Sequence, residues 1–338
     1  MASSRVVAVT RRLPAPVLDA LRSSGCTVRL HDSDDPPTPA QLLDLVGGAS
    51  AVICTLADRI DAPVLAAAGA GLRGVATMSV GYSHIDTAAC TAAGVRVGFT
   101  PGVLTDATAD LVLALTLSVL RRLPEAAAAA RRAPADGGWG SWKPFWMTGR
   151  DLAHATVGIV GLGRIGAAVA ARLRGFDARV IYTGRSGPRA PELDAPLNAR
   201  WAPLDELLAA ADVVVLLCPL TAATRGLIGA PQLARMKARS ALINAARGEV
   251  VDQDALVAAL RARPELLAGL DVTTPEPLPL DHPLLALPNC TVLPHIGSAS
   301  ESCREAMAML CVRNAVAAMD GAEMPEEVEE TRGVPRGV

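Results

Sequence analysis

Lysine is nearly missing from this chain: among 338 residues it stands only at Lys143 and Lys237, and arginine carries the remaining positive charge. With so much alanine alongside, this reads as genomic composition bias rather than a functional signal. Neither charge sign is in excess. A net charge of −2 gives no reason to invoke nucleic acid or a membrane surface. The seven cysteines are an odd number and form no Cys-x-x-Cys pair, which excludes a disulfide framework and a zinc site. Cys54 and Cys218 sit in apolar strand-like runs and Cys311 in a helical pattern, so buried reduced thiols are expected. The longest apolar run, residues 111–120, is far short of the ~20 residues of a membrane span and reads as a buried helix. Residues 5–10 are too short for the core of a secretory signal, and two arginines follow. The first Ala, Ser and Arg faintly resemble a transit peptide, but a strand starts too soon after them. A cytoplasmic location is expected.

What is present is a chain that is 51% hydrophobic and 20% charged, long enough for two packed domains. Residues 6–9, 27–30, 51–55, 74–78 and 95–99 read as short Val- and Ile-rich strands. Helical patterns such as 62–68 and 86–92 lie between most of them. That is the rhythm of a parallel α/β unit. A long helix over 104–121 and a second helical stretch over 124–132 follow. The segment 137–146 then breaks the pattern and holds three of the four tryptophans. Taken alone, such a cluster is more often a packing plug than a ligand contact.

A second α/β series predicts six strands, at 157–160, 179–182, 213–217, 241–244, 268–271 and 291–293. Proline-rich turns at 274–283 interrupt the last pair. The final helix, 299–319, has no further strand to serve and is free to pack back on the first domain. The tail from Gly321 is acidic, then rich in Arg, Gly and Pro, and is expected to fray. The expected fold is α/β, with two Rossmann-like domains. A smaller flavodoxin-like substrate-binding domain spans 1–103 and 299–338. A dinucleotide-binding domain with a six-stranded parallel core spans 104–298.

The most informative segment is Gly158-Ile-Val-Gly161-Leu-Gly163-Arg164-Ile165-Gly166. A β-like stretch leads in and a helix-like stretch leads out, which is the setting a dinucleotide fingerprint needs. Gly161 permits the tight turn, Gly163 lets a pyrophosphate approach the backbone, and Gly166 lets the helix pack close. The helix N-terminus then offers free N–H groups to the phosphates. The next strand ends in Gly184-Arg185-Ser186-Gly187, where an NAD site would carry a ribose-binding carboxylate. Arg185 and Ser186 instead suit a 2′-phosphate, so NADP(H) is expected over NAD(H), with NAD(H) still possible. The alternative is a solvated loop arginine.

Three segments near later strand ends carry candidate chemistry. Arg247 follows a buried strand and could hold a carboxylate in a bidentate grip; a surface ion pair is the plainer reading. Glu276 stands between Pro275 and Pro277, either as an aimed carboxylate or as an ordinary acidic turn. His295 is the histidine at a strand end in this half, suited to giving and taking a proton near neutral pH. Together they make a coherent machine. Arg247 grips the substrate carboxylate and polarises the neighbouring carbonyl, His295 protonates the oxygen, and Glu276 orients the ring. No metal is required.

These residues resemble the D-isomer-specific 2-hydroxyacid dehydrogenase family. The similar stretches are the glycine fingerprint, Asn244-Ala-Ala-Arg247-Gly248, Asp271-Val-Thr-Thr-Pro275-Glu276-Pro277 and Pro294-His295-Ile-Gly297-Ser298. Within the family, residues 10–14, 78–81, 104–106, 138–144, 182–185 and 278–285 are most similar to the branch that reduces glyoxylate and hydroxypyruvate. The resemblance implies NADPH-dependent reduction of those acids, with Arg247, Glu276 and His295 in the roles above. It implies Val80 and Gly81 as backbone donors to the substrate carboxylate. It implies cofactor contacts at Gly163, Arg164, Ile165, Arg185, Ser186, Pro219, Ala245, Asp271 and Gly297. It also implies a homodimer built on the long central helix, with Trp142 reaching the partner's substrate site. Two departures stand out. Ala245 and Ala246 replace hydroxyl-bearing residues before Arg247, and Gly187 shortens the basic stretch of the phosphate loop. A broader 2-ketoacid reductase and a nucleotide-sensing, corepressor-like binding protein remain as alternatives.

Overall fold

The computed structural model describes residues 5–335. The transit-like residues 2–4 and the end of the tail, 336–338, lie outside them. The chain divides into two compact units, Met1–Leu104 with Ala299–Val338, and Thr105–Ser298.

In the first unit the strands are β1 (Val6–Val9), β2 (Thr27–Leu30), β3 (Ala51–Cys54), β4 (Gly74–Thr77) and β5 (Arg96–Gly98). They pair in parallel in the order β2-β1-β3-β4-β5, the flavodoxin-like arrangement. Both faces of the sheet are covered. Val52, Val75 and Val97 pack on one side, and Val7, Val9 and Ile53 on the other. This is why its central strands read as unbroken apolar runs rather than alternating ones. The helix Glu301–Met319 lies on this unit, with Ala308, Cys311, Val312 and Ala315 in the same cluster as Val7 and Val9.

The second unit holds β6 (Thr156–Val160), β7 (Arg179–Thr183), β8 (Ala199–Trp201), β9 (Val213–Leu216), β10 (Ala241–Asn244), β11 (Leu267–Leu270) and β12 (Cys290–Val292). Their order is β12-β11-β10-β9-β6-β7-β8, all parallel. The chain steps outward from β6 through β8, then returns to β9 on the other side. The boundary between β6 and β9 is therefore the topological switch point, where such sheets bind ligands at their carboxyl ends. The sheet has seven strands rather than six. β8 escapes a pattern reading because its three residues, Ala199-Arg200-Trp201, include no β-branched side chain. The apolar stretch 111–120 lies in the helix Thr105–Leu120, where Val112, Leu115 and Val119 are buried. Among the described residues no helix is long and apolar enough to cross a membrane.

The acidic tail does not fray as expected, at least through Val334. Val328 N–H donates to the Val97 carbonyl at 2.9 Å, and Thr331 is wholly buried. Glu327 meets the buried Arg96 guanidinium through two nitrogens, at 2.7 Å and 3.1 Å. Asn314 joins helix and tail: its amide donates to the Phe99 carbonyl at 3.0 Å and accepts the Glu326 N–H at 3.1 Å. A run of glutamates reads as a solvated surface until one of them is seen to neutralise a buried cation.

Removing that partner leaves an uncompensated charge. Glu327→Ala is expected to cost about 3–5 kcal/mol of stability in urea unfolding followed by circular dichroism. A loss under about 1 kcal/mol, the scale of an exposed pair, would mean the tail is not fastened by this contact.

Candidate active site

The glycine turn joins β6 to the helix Arg164–Leu173. Gly161 has φ +101°, a region that side chains with a Cβ rarely enter, and its N–H donates to the Thr183 carbonyl at the end of β7. A Cβ on Gly166 would be driven into the Gly161 carbonyl oxygen. Both glycines are thus demanded by the fold itself. Gly163 is different. It is the N-cap residue of the helix, and a Cβ there would meet no protein atom within 4 Å. The room in front of the helix N-terminus, with its unpaired N–H groups, fits a pyrophosphate. Arg164 is exposed and Ile165 half-buried in the first turn.

At the end of β7 the chain makes a tight turn, closed by the Gly187 N–H to the Gly184 carbonyl at 3.1 Å. Arg185 and Ser186 are its two central residues, and both are exposed. Pro219 follows β9, Ala245 follows β10 and Gly297 follows β12, so these positions share the carboxyl edge of the sheet. Val80 and Gly81 belong to the first unit, in the loop after β4. There the Ser79 hydroxyl donates to the Gly81 carbonyl at 2.7 Å.

The three candidate catalytic side chains also follow adjacent strands on this edge: Arg247 after β10, Glu276 after β11, His295 after β12. His295 Nδ1 lies 2.8 Å from Glu276 Oε2. An ionised carboxylate can only accept, so Nδ1 carries the proton of this bond. Burial pushes the Glu276 carboxyl up. The His295 hydrogen bond and charge, the Thr273 N–H and the Arg247 charge outweigh it and hold the group below the ordinary carboxylate range. Burial pushes the Arg247 guanidinium down, opposed by the charges of Glu276 and Glu249.

Thr273 and Gln253, which the sequence did not single out, help hold this set in place, together with Asn244 and Asp271. The buried Asn244 amide donates to the Arg247 carbonyl at 2.9 Å and accepts the Ala246 N–H at 3.0 Å. Thr273 N–H donates to Glu276 Oε1 at 2.9 Å. Gln253 clamps Thr274 from both sides, accepting its N–H at 2.8 Å and donating to its carbonyl. The peptide bonds before Pro275 and Pro277 are both cis. Asp271 is buried, and its two carboxylate oxygens accept the N–H groups of Ile296 and Gly297 at 2.8 and 2.9 Å. Its backbone carbonyl takes the His295 N–H at 2.8 Å. Burial raises the Asp271 carboxyl, against the pull of those N–H groups and of His295. His295 itself has φ +55°, an uncommon conformation that these bonds sustain.

The aromatic segment is no plug within this chain. Trp142 is 82% and Phe145 88% exposed.

The profile of the D-isomer specific 2-hydroxyacid dehydrogenase NAD binding domain matches residues 113–297. The human glyoxylate reductase/hydroxypyruvate reductase is 47% identical over 96% of this chain and 97% of its own length. The chain belongs to the D-isomer-specific 2-hydroxyacid dehydrogenase family. The structure of the TT0316 protein from Thermus thermophilus is similar at TM-score 0.87, with 47% identity over 96% of this chain and 99% of that one. An NADPH-dependent glyoxylate/hydroxypyruvate reductase from Sinorhizobium meliloti, in complex with NADP and malonate, superposes at TM-score 0.83 with 31% identity, each chain covered completely.

The contrast between two glycines in this dehydrogenase is testable. Gly163→Ala is expected to stay within about 1 kcal/mol of wild-type stability. It should still weaken dinucleotide binding more than about tenfold in calorimetric titration, because the added methyl occupies the phosphate position. Gly166→Ala is expected to lose about 1–3 kcal/mol of stability through backbone overpacking. Wild-type affinity in Gly163→Ala would show that the turn does not cradle phosphate.

Proposed function

We propose that this dehydrogenase reduces glyoxylate to glycolate and hydroxypyruvate to D-glycerate, using NADPH. The observation that carries the reading is the 2.8 Å bond between His295 Nδ1 and Glu276, on the same sheet edge as the half-buried Arg247. Arg247 binds the substrate carboxylate through its fork of N–H donors and draws charge toward the adjacent carbonyl oxygen. Glu276 holds the imidazole by Nδ1, so Nε2 is the atom that delivers a proton to that oxygen. When bound, the reduced nicotinamide supplies the hydride. The absence of a carboxylate in the Gly184–Gly187 turn, with Arg185 and Ser186 in its place, supports a 2′-phosphate there.

Steady-state rates with glyoxylate, hydroxypyruvate and pyruvate, each with NADPH and NADH, test the proposal. The first two acids with NADPH should be turned over best. Arg185→Asp should erode the NADPH preference at least about tenfold. His295→Ala should lower kcat by about 10²–10⁴. Unchanged NADPH absorbance with both acids would remove the assignment. Equal use of pyruvate would point to the broader 2-ketoacid reductase, and nucleotide binding without turnover to a sensor.

We further propose a homodimer in which Trp142 of each chain completes the partner's substrate site. Its exposure on an isolated chain supports this, since a large aromatic surface is normally covered. Light scattering should report a dimer. Trp142→Ala should raise the ketoacid KM several-fold, about 1 kcal/mol of lost contact, with the NADPH KM unchanged. A monomer, or an unaffected ketoacid KM, would contradict the arrangement.

A further inference from the structure

The hydroxyl of Tyr182 has no packing reason to exist. The ring is buried at 1% exposure near the end of β7, where phenylalanine would fill the same space. Its oxygen reaches seven residues ahead and accepts the Arg189 N–H at 2.7 Å. It also donates to the Asp194 carboxylate at 2.7 Å. Burial, more than any neighbour, pushes the phenol up, so it stays protonated and able to donate. Asp194 is itself buried and lies 3.8 Å from the Arg189 guanidinium.

The segment between these ties is the turn that presents Arg185 and Ser186. One end is fixed by the sheet, where the Thr183 carbonyl takes the Gly161 N–H at 2.9 Å. The other end is fixed by Tyr182 and Asp194. The turn's internal closure is the single Gly184–Gly187 bond. With its far end released, two exposed side chains would have to be ordered at the moment of binding. That ordering costs affinity for whatever they touch.

We propose that Tyr182 and Asp194 are positioning residues for cofactor choice, setting the turn in place to receive the phosphate on the adenosine ribose. This rests on the NADPH reading above and adds the device that enforces it. The two bonds predict a specific loss, confined to ligands that bear the 2′-phosphate.

The test is calorimetric titration of the full chain with adenosine 2′,5′-bisphosphate and with 5′-AMP, joined to KM values for NADPH and NADH. In Tyr182→Phe the affinity for the bisphosphate should fall about tenfold while that for 5′-AMP stays within about twofold. The KM for NADPH should rise correspondingly, and the KM for NADH should not. Asp194→Asn, which keeps the shape, should show the same selective loss in smaller degree. A loss shared equally by both ligands would mean a general structural role, and no loss with either would mean an idle hydroxyl; both overturn the proposal. Wild-type protein that binds 5′-AMP as tightly as the bisphosphate would overturn the NADPH reading and this inference with it. Discrimination by the wild type that survives intact in Tyr182→Phe would overturn this inference alone.

Discussion

A carboxylate and an imidazole held 2.8 Å apart are useful only if neither can turn away. A hydrogen bond to a charged group contributes about 1.5–3 kcal/mol, while freezing a glutamate side chain costs about 1.5–2 kcal/mol of rotamer freedom. The Glu276–His295 bond therefore barely offsets the ordering of its own partners. The surrounding contacts supply the rest. Thr273 N–H fixes the far carboxylate oxygen, Gln253 clamps the neighbouring backbone at Thr274, and Asp271 fastens the chain on both sides of the His295 ring. The pair is aimed by a backbone that has already been arranged.

The two acids of this edge are built for opposite ends. Asp271 is buried with both oxygens bonded to backbone N–H groups, and burial raises it. Glu276 is half-exposed and is held low by His295 and Arg247 despite its partial burial. A depressed carboxyl contributes stability above its unfolded value and loses it as pH falls through the folded one. The Glu276–His295 pair thus persists in acid beyond the point where an ordinary glutamate protonates. Partial exposure keeps that contribution small. Its value lies in orientation and charge at the ring, not in holding the fold.

Much of this was legible in the sequence, for reasons that are local. Parallel strands covered on both faces read as apolar runs, so six of the seven strands of the larger sheet stand out. Gly161, Gly163 and Gly166 declare themselves because turn, approach and packing fall within six residues. What could not be read is what depends on distance along the chain. Gln253 acts 21 residues away on Thr274, Asp271 acts 25 residues away on Ile296, and Arg96 meets Glu327 across 231. None has a short-range pattern. A glutamine at the start of a helix looks like any other, and a glutamate in an acidic tail looks like solvent-facing charge. The exposure of Trp142 was legible only through the family resemblance, since by itself a tryptophan on a loop reads the same whether it fills a core or awaits a surface.

The catalytic and adenosine ends of the sheet edge then differ in a way that follows from their tasks. At the proposed catalytic end the reacting groups must be placed to fractions of an ångström, and the N–H groups of Ala246, Thr273, Thr274, Ile296 and Gly297 are each committed to a side chain that fixes them. At the proposed adenosine end Arg185 and Ser186 are exposed on a turn with one internal hydrogen bond, and a charge attracts its ligand over a longer range than a proton transfer tolerates. A looser turn suffices there if its position is set. Tyr182 provides that from beneath, with a hydroxyl that makes one bond to the backbone and one to a buried carboxylate. The same arrangement appears at Asn244 under Arg247. In both places a buried polar side chain, bonded to the chain it supports, carries the group proposed to meet the ligand.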